Sequence, residues 1–190
     1  MSLDLRGAAS ELDAVNEMLA AIGEDPAAAL DYLPPSGNTA LHLLRETSRS
    51  IQSEGYWFNT EVDYPLSPAA DGRVPVPLNV IDLDGEDDNI IQRGLYLYDL
   101  STRSYQFTAP VNCKVTLYLP WDELPSVARW AITSAATERF CEAFPGSPGV
   151  TEARDRNTRR AHAALRRAEA LNGGHNILSN QHFLSMTRRS

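Results

Sequence analysis

The chain has 190 residues, 43% of them hydrophobic, with 17 basic and 25 acidic side chains and a formal net charge of −8. That length suits one or two domains, and no apolar run approaches the roughly 18 residues that a membrane span needs. Two cysteines, Cys113 and Cys141, are too few for a disulfide scaffold and lack metal-site spacing, so free buried thiols are expected. The charge is uneven. Residues 1–100 carry 18 acids and 5 bases, a net of −13, whereas residues 101–190 carry 7 acids and 12 bases, a net of +5. Such a polar molecule is expected to face different partners at its two ends.

The opening segment, MSLDLRGAASELDAV, has no basic start followed by an apolar block, so no secretory signal is expected. The first helix is predicted in SELDAVNEMLAAIGE. Ser10 caps it, Asp13 completes a capping box, and Gly23 supplies the left-handed stop. Leu12, Val15, Leu19 and Ile22 lie on one stripe at helical spacing. A turn-rich link follows. Thr39 then opens a second helix to about Glu54, with Leu41, Leu44, Ser48 and Ile51 on one face and Gly55 at its end. Directly after that stop come three aromatics in GYWFN. Strand alternation would point Tyr56 and Phe58 one way and Trp57 the other, with Trp57 or Phe58 in the core.

The middle reads as β structure. RVPVPLNVIDLD, NIIQRG, GLYLYDLS, SYQF and KVTLYLP are short runs parted by Gly, Asp, Asn and Ser, as in a meander. Leu95 and Leu97 alternate with Tyr96 and Tyr98, giving one aliphatic and one aromatic face. Pro75 and Pro77 donate no hydrogen bond, so VPVP is an edge or an extended arm. Helical pattern returns in WDELPSVARWAITSAATERFCEAF. Asp122 and Glu123 suit a helix N-terminus, Pro125 its first turn, and Val127, Trp130, Ser134, Cys141 and Phe144 one stripe. A fourth helix starts with Ser147 as cap and Pro148 at its first position, and runs to Leu171. Its thin stripe is Val150, Ala153, Asn157, Ala161, Ala164, Ala168 and Leu171, and Gly173 and Gly174 end it. Arg154, Arg156, Arg159, Arg160, Arg166 and Arg167 dominate residues 154–167. The last residues, HNILSNQHFLSMTRRS, show no period and suit an arm ordered on a partner.

Motifs for chemistry are sparse. There is no phosphate loop, GxGxxG, GxSxG or HExxH, and His42, His162, His175 and His182 are scattered. The stretch DLDGEDDN fails the calcium-loop template: its glycine comes too early, and Arg93 stands where the bidentate Glu belongs. A solvated hairpin turn is the plainer reading. No metal or cofactor is expected.

Four stretches, ELDAVNEMLAAIGE (11–24), IQSEGYWFN (51–59), DELPSVARWAITSAATERF (122–140) and GGHNILS (173–179), together resemble the tail tubular protein A family of short-tailed bacteriophages. They stand in the family's order and at about its spacing. The resemblance implies a structural virion protein of the tail: an adaptor ring of twelve subunits that joins the portal to the tail nozzle. Such a ring continues the DNA channel without binding DNA specifically, and tail fibres attach near the joint with the nozzle. It implies an α+β fold. About four helices, from residues 1–60 and 119–172, would bundle, with a β domain at 61–118 inserted and an extended C-terminal arm at 173–190. In that frame Ile177, Leu178, Phe183 and Leu184 would fill clefts on the portal while Arg188 and Arg189 pair with acidic groups. Arg156, Arg159, Arg160, Arg166, Arg167 and Trp57 would serve assembly of the ring, and Asp84, Glu86, Asp87 and Asp88 would face nozzle or fibre.

Two other classes compete. A tail-associated glycan-degrading enzyme would need two placed carboxyls among Asp82, Asp84, Glu86, Asp87 and Asp88. A small DNA-binding protein would use the arginine helix and bind with steep salt dependence. The acidic net charge weighs against the latter.

Overall fold

The computed structural model describes residues 8–144 and 151–173. The chain divides into two units. One gathers the sequence before Gln52 with that after Leu119, and the other is the intervening stretch, Gln52–Leu119. The fold is α+β, with a helical bundle and antiparallel sheets.

The helical unit begins with α1, Glu11–Ile22. Its capping box is made as the sequence predicts. The Asp13 amide donates to Ser10 Oγ (3.1 Å) and the Ser10 amide to Asp13 Oδ2 (3.0 Å), so two otherwise orphaned donors are satisfied. Gly23 ends the helix at φ +84°, in the left-handed region that favours glycine. Ala14, Val15, Met18 and Leu19 are fully buried, so the apolar stripe is centred on 14–15 and 18–19, while Leu12 and Ile22 are half-buried. Helix α2 spans Pro35–Gln52 and so starts four residues before the expected Thr39. Proline is pre-set for a first helical position, and Thr39 turns its hydroxyl back to Pro35 O (3.1 Å) instead of capping. Of the predicted face, Leu44, Ser48 and Ile51 are buried and Leu41 is half-buried.

Helix α3, Ser126–Ala143, has Pro125 at its N-cap, and Asp122 and Glu123 belong to a separate 3-10 turn, Trp121–Glu123. The expected stripe on α3 is corrected. Ser134 is buried, but Val127, Trp130, Cys141 and Phe144 are half-buried. The buried set is Ala128, Ala131, Ile132, Thr133, Ser134, Ala136 and Phe140. A helix flanked by α1 on one side and α4 on another is buried over a broad arc, and a narrow stripe does not describe it. Phe140, fully buried, contributes about 2–3 kcal/mol by area. Helix α4 spans Thr151–Asn172; Ser147, Pro148 and Val150 lie outside the described residues. Its inner face is also corrected. Ala161 and Leu165 are fully buried and Arg154, Thr158 and Ala168 half-buried, while Ala153, Asn157 and Leu171 are exposed.

In the other unit, β1 (Thr60–Leu66), β2 (Val80–Gly85) and β5 (Val111–Leu117) form a three-stranded antiparallel sheet in the order β1-β5-β2. The strands β3 (Ile90–Arg93) and β4 (Tyr96–Asp99) form a separate hairpin. The meander is therefore corrected: sequence neighbours pair only in the hairpin, and the last strand inserts between the first two. Strand β5 shows the period of two, with Val111, Cys113 and Val115 buried and Asn112 and Lys114 exposed. These residues, with Leu66, Val74, Val76 and Leu97, make the core of the unit.

Val74–Val76 runs along β4, as an extended arm should. The Val76 amide donates to Leu95 O (2.9 Å) and the Leu97 amide to Val74 O (3.0 Å). Leu97 is fully buried but Leu95 lies in the hairpin turn, 58% exposed, so the aliphatic face is not shared by both. SYQF is not a strand; Ser104 makes a single bridge to Asp99. Strand β1 has no counterpart in the sequence reading. It is polar, contains Pro65, and carries a bulge between Glu61 and Tyr64 where Asp63 takes φ +58°. These are the marks of a protected edge strand.

Candidate functional site

The surface that the sequence singles out most strongly is α4. Its attachment is built from polar side chains. The Thr158 hydroxyl donates to Ser134 O (3.3 Å), Asn157 Nδ2 donates to Ser134 Oγ (3.1 Å), and Ala161 and Leu165 fill the space that follows. Arg154 differs from the other arginines of this helix. Its Nη2 donates to Ala21 O, one of the last carbonyls of α1, which have no partner within their own helix. The positive guanidinium also meets the negative end of the α1 dipole.

With Arg154 turned in, Arg156, Arg159, Arg160, Arg166 and Arg167 all project outward and are exposed. Arg159 is held by Asp155 one turn before it, with Nε to Oδ1 at 2.8 Å and a second bond from Nη2. This bonding lowers the Asp155 pKa. Among the described residues, Arg156, Arg160, Arg166 and Arg167 form no ion pair. Five positive groups on one outer surface, four of them without an ion pair among the described residues, can bind an acidic partner surface. Trp57 is not on this helix; it lies in the Gln52–Leu119 unit.

The aromatic turn is a second feature. Residues 56–59 form a turn and not a strand, so the alternation expected for GYWFN does not apply. Tyr56 is the buried ring, while Trp57 and Phe58 are half-buried, which corrects the expected core residue. Tyr56 and Phe58 stack at 5.6 Å, and Trp57 meets Phe58 edge-on at 5.0 Å. The turn is fixed by Asn59, 1% exposed. Its Nδ2 donates to Gln52 O and Leu117 O (both 2.9 Å), and its Oδ1 accepts from the Tyr56 amide (2.8 Å). Gln52 is fully buried and bonds reciprocally with Leu119: Nε2 donates to Leu119 O (3.1 Å) and the Leu119 amide donates to Oε1 (2.8 Å). The two amides together clamp the entry and exit of the unit at its base. Sequence reasoning missed both, because a buried Asn or Gln has no periodic signature.

Asp84, Glu86, Asp87 and Asp88 sit where β2 passes into β3, all exposed. Asp87 Oδ1 accepts from the Asn89 amide (3.0 Å), a turn-closing bond. Among the described residues no group of three or more His, Cys, Asp or Glu could hold a metal ion. A clearly perturbed carboxyl in this unit is Asp99. The hydroxyls of Ser101 (2.6 Å) and Thr102 (2.8 Å) hold its pKa at about 2, which suits a turn anchor and not a proton acceptor at neutral pH. Among the described residues no helix is long and apolar enough to cross a membrane. Ile177, Leu178, Phe183, Leu184, Arg188 and Arg189 lie outside the described residues, as do His175 and His182.

Comparison with known proteins now gives these surfaces a setting. The model of the family described as "Tail tubular protein" matches residues 12–175. A curated relative, the tail tubular protein A of Klebsiella phage KP34, is 34% identical over 129 residues, covering 67% of this chain and 69% of the relative. The chain belongs to the tail tubular protein A family and is a structural component of a phage tail.

Proposed function

We propose that this tail component is the subunit of an adaptor ring that joins the portal to the tail nozzle and continues the channel through which DNA is ejected. Family membership supports a tail role, and the observation that carries the assembly reading is the outward arginine surface of α4 beside a chain whose first hundred residues carry −13. A ring closes through two different faces on each subunit, and opposite charges on those faces give the contact its direction. Twelve copies form the ring, following the resemblance noted in the sequence.

Within this reading Arg156, Arg159, Arg160, Arg166 and Arg167, with the half-buried Trp57, serve assembly. The exposed turn at Asp84, Glu86, Asp87 and Asp88 faces the nozzle or a tail fibre. Residues 174–190 dock on the portal through Ile177, Leu178, Phe183 and Leu184, with Arg188 and Arg189 pairing with acidic groups. The genome passes without specific contacts. Acidic groups lining the channel repel phosphates and keep the DNA mobile. No catalytic role is part of this reading.

Light scattering on a sizing column tests it, with the protein alone and mixed with the portal protein of its own phage. A mass gain of about twelve subunits per portal ring supports the adaptor. No association at any salt concentration refutes it. A chain lacking residues 174–190 should stay folded and lose portal binding; unchanged binding would rule out the docking arm.

A further inference from the structure

The arginines of α4 repeat a spacing found, with opposite sign, on α1. On α4, Arg156, Arg160, Ala163 and Arg167 stand at i, i+4, i+7 and i+11, which puts them on one ridge about 16 Å long. On α1, Asp13, Glu17 and Ala20 stand at the same i, i+4 and i+7, and Glu24 follows just past the left-handed Gly23 that ends the helix. On both helices two like charges one turn apart precede an alanine, in the same order. All eight residues are exposed in the single chain, so neither ridge is covered by the other within it.

Among the described residues Asp13, Glu17 and Glu24 form no ion pair. Glu17 has no ion pair among the described residues, and partial burial followed by the adjacent Asp13 carboxylate raises its pKa. Asp13 is committed only to the hydroxyl and amide of Ser10, and Glu24 to the hydroxyl of Ser36. A cation brought by a partner would relieve the repulsion at Glu17. Helices α1 and α4 both pack on α3, within one unit, so each subunit carries both ridges on the same body.

From this we infer that the occupant of the α4 arginine ridge is the α1 acidic ridge of a second copy of this chain, the helices running parallel with Ala163 against Ala20. Parallel alignment alone sets Arg156 to Asp13 and Arg160 to Glu17, with Arg167 running on toward Glu24 beyond the end of α1. An antiparallel pairing sets Arg160 against Ala20 and Ala163 against Glu17. The facing alanines let the backbones approach closely. The contact is heterologous, one ridge donating and the other receiving, so it propagates from copy to copy and can close a ring. This inference rests on the self-association in the ring reading above and names the faces that meet.

The test joins cross-linking to charge exchange. Ala20→Cys and Ala163→Cys are introduced together with Cys141→Ser, and the protein is mildly oxidised at the concentration where the wild type associates. Covalent multimers larger than dimers are expected, because each copy has one cysteine on each ridge. In parallel, Arg160→Glu should weaken association at least about tenfold, the scale of close interfacial charge pairs, and Glu17→Arg in the same chain should restore it. Thermal unfolding of each variant is expected to match the wild type, since all the substituted ridge positions are exposed. If the wild type associates but gives only monomers or dimers on oxidation, or if Glu17→Arg fails to rescue Arg160→Glu, this pairing is wrong while the ring stands. Rescue by Asp87→Arg in place of Glu17→Arg would also overturn it and move the contact to the β2–β3 turn. A wild type that stays monomeric at every concentration, alone and with its portal, would overturn ring and pairing together.

Discussion

Replacing Asn59 by alanine should be among the costliest single changes in the Gln52–Leu119 unit. The side chain makes three hydrogen bonds at 2.8–2.9 Å from a position 1% exposed to solvent. A net contribution near 1 kcal/mol per bond gives about 3 kcal/mol, and partners left buried without water raise this toward 4. For a chain of this size each kcal/mol moves Tm by about 2–4 °C, so a fall near 10 °C is expected. Urea unfolding followed by circular dichroism reads the loss directly. The isosteric Asn59→Asp separates bonding from volume. It keeps the shape but sets a carboxylate oxygen against Gln52 O and Leu117 O, and should cost at least as much as alanine near pH 7. A loss below about 1 kcal/mol for alanine, or wild-type stability for aspartate, would show that the clamp does not hold the unit.

Three further outcomes follow from the same structure. Arg154→Ala removes the bond to Ala21 O and should cost about 1–2 kcal/mol, whereas Arg167→Ala, exposed and without an ion pair among the described residues, should change urea stability by under about 0.5 kcal/mol. Ser10→Ala breaks the capping box and should cost about 1 kcal/mol; a change indistinguishable from wild type would place α1 stability elsewhere. Burial, and after it the Glu86 carboxylate, raises the Cys113 thiol to about 11, above its ordinary value of 9.0. The folded state therefore holds the proton that the unfolded chain releases, and stability should fall as pH rises from about 9 toward 11. Cys113→Ala should flatten that slope, and an equal slope in the variant would refute the assignment.

The ends of helix α1 are legible because their signals are local: Ser10, Asp13 and Gly23 act within one or two turns of their own positions, whereas its buried face centres on Ala14, Val15, Met18 and Leu19 and takes in Leu12 and Ile22 only in part. Helix α2 was misplaced at its start because Thr39 is a good cap by type, and only the preceding Pro34–Pro35 pair, read as a turn, could have moved the boundary. The stripe of α4 was drawn through alanines, which carry almost no amphipathic signal. The residues that in fact attach it include Arg154 and Thr158, whose polar ends are used up by backbone carbonyls. Strand order could not be read. The pairing of β5 with both β1 and β2 joins residues as far apart as Thr60 and Thr116, and nothing in local alternation encodes it. The arginines of α4 were legible by composition, but which of them face outward needed the structure to separate the turned-in Arg154 from the exposed ones.

Because the helical unit is built from sequence on both sides of Gln52–Leu119, it cannot be finished in order of synthesis. Helices α1 and α2 leave the ribosome first, but α3, against which α1 packs, follows only after the whole β unit. At roughly 5–20 residues per second the delay is about 3–14 s. Through that interval α1 lacks α3, while the β unit already holds both its ends in Gln52 and Leu119 and can close. The amide clamp thus shapes the birth of the molecule as well as its stability. It joins the entry and exit of the inserted unit, both of which are synthesised before α3.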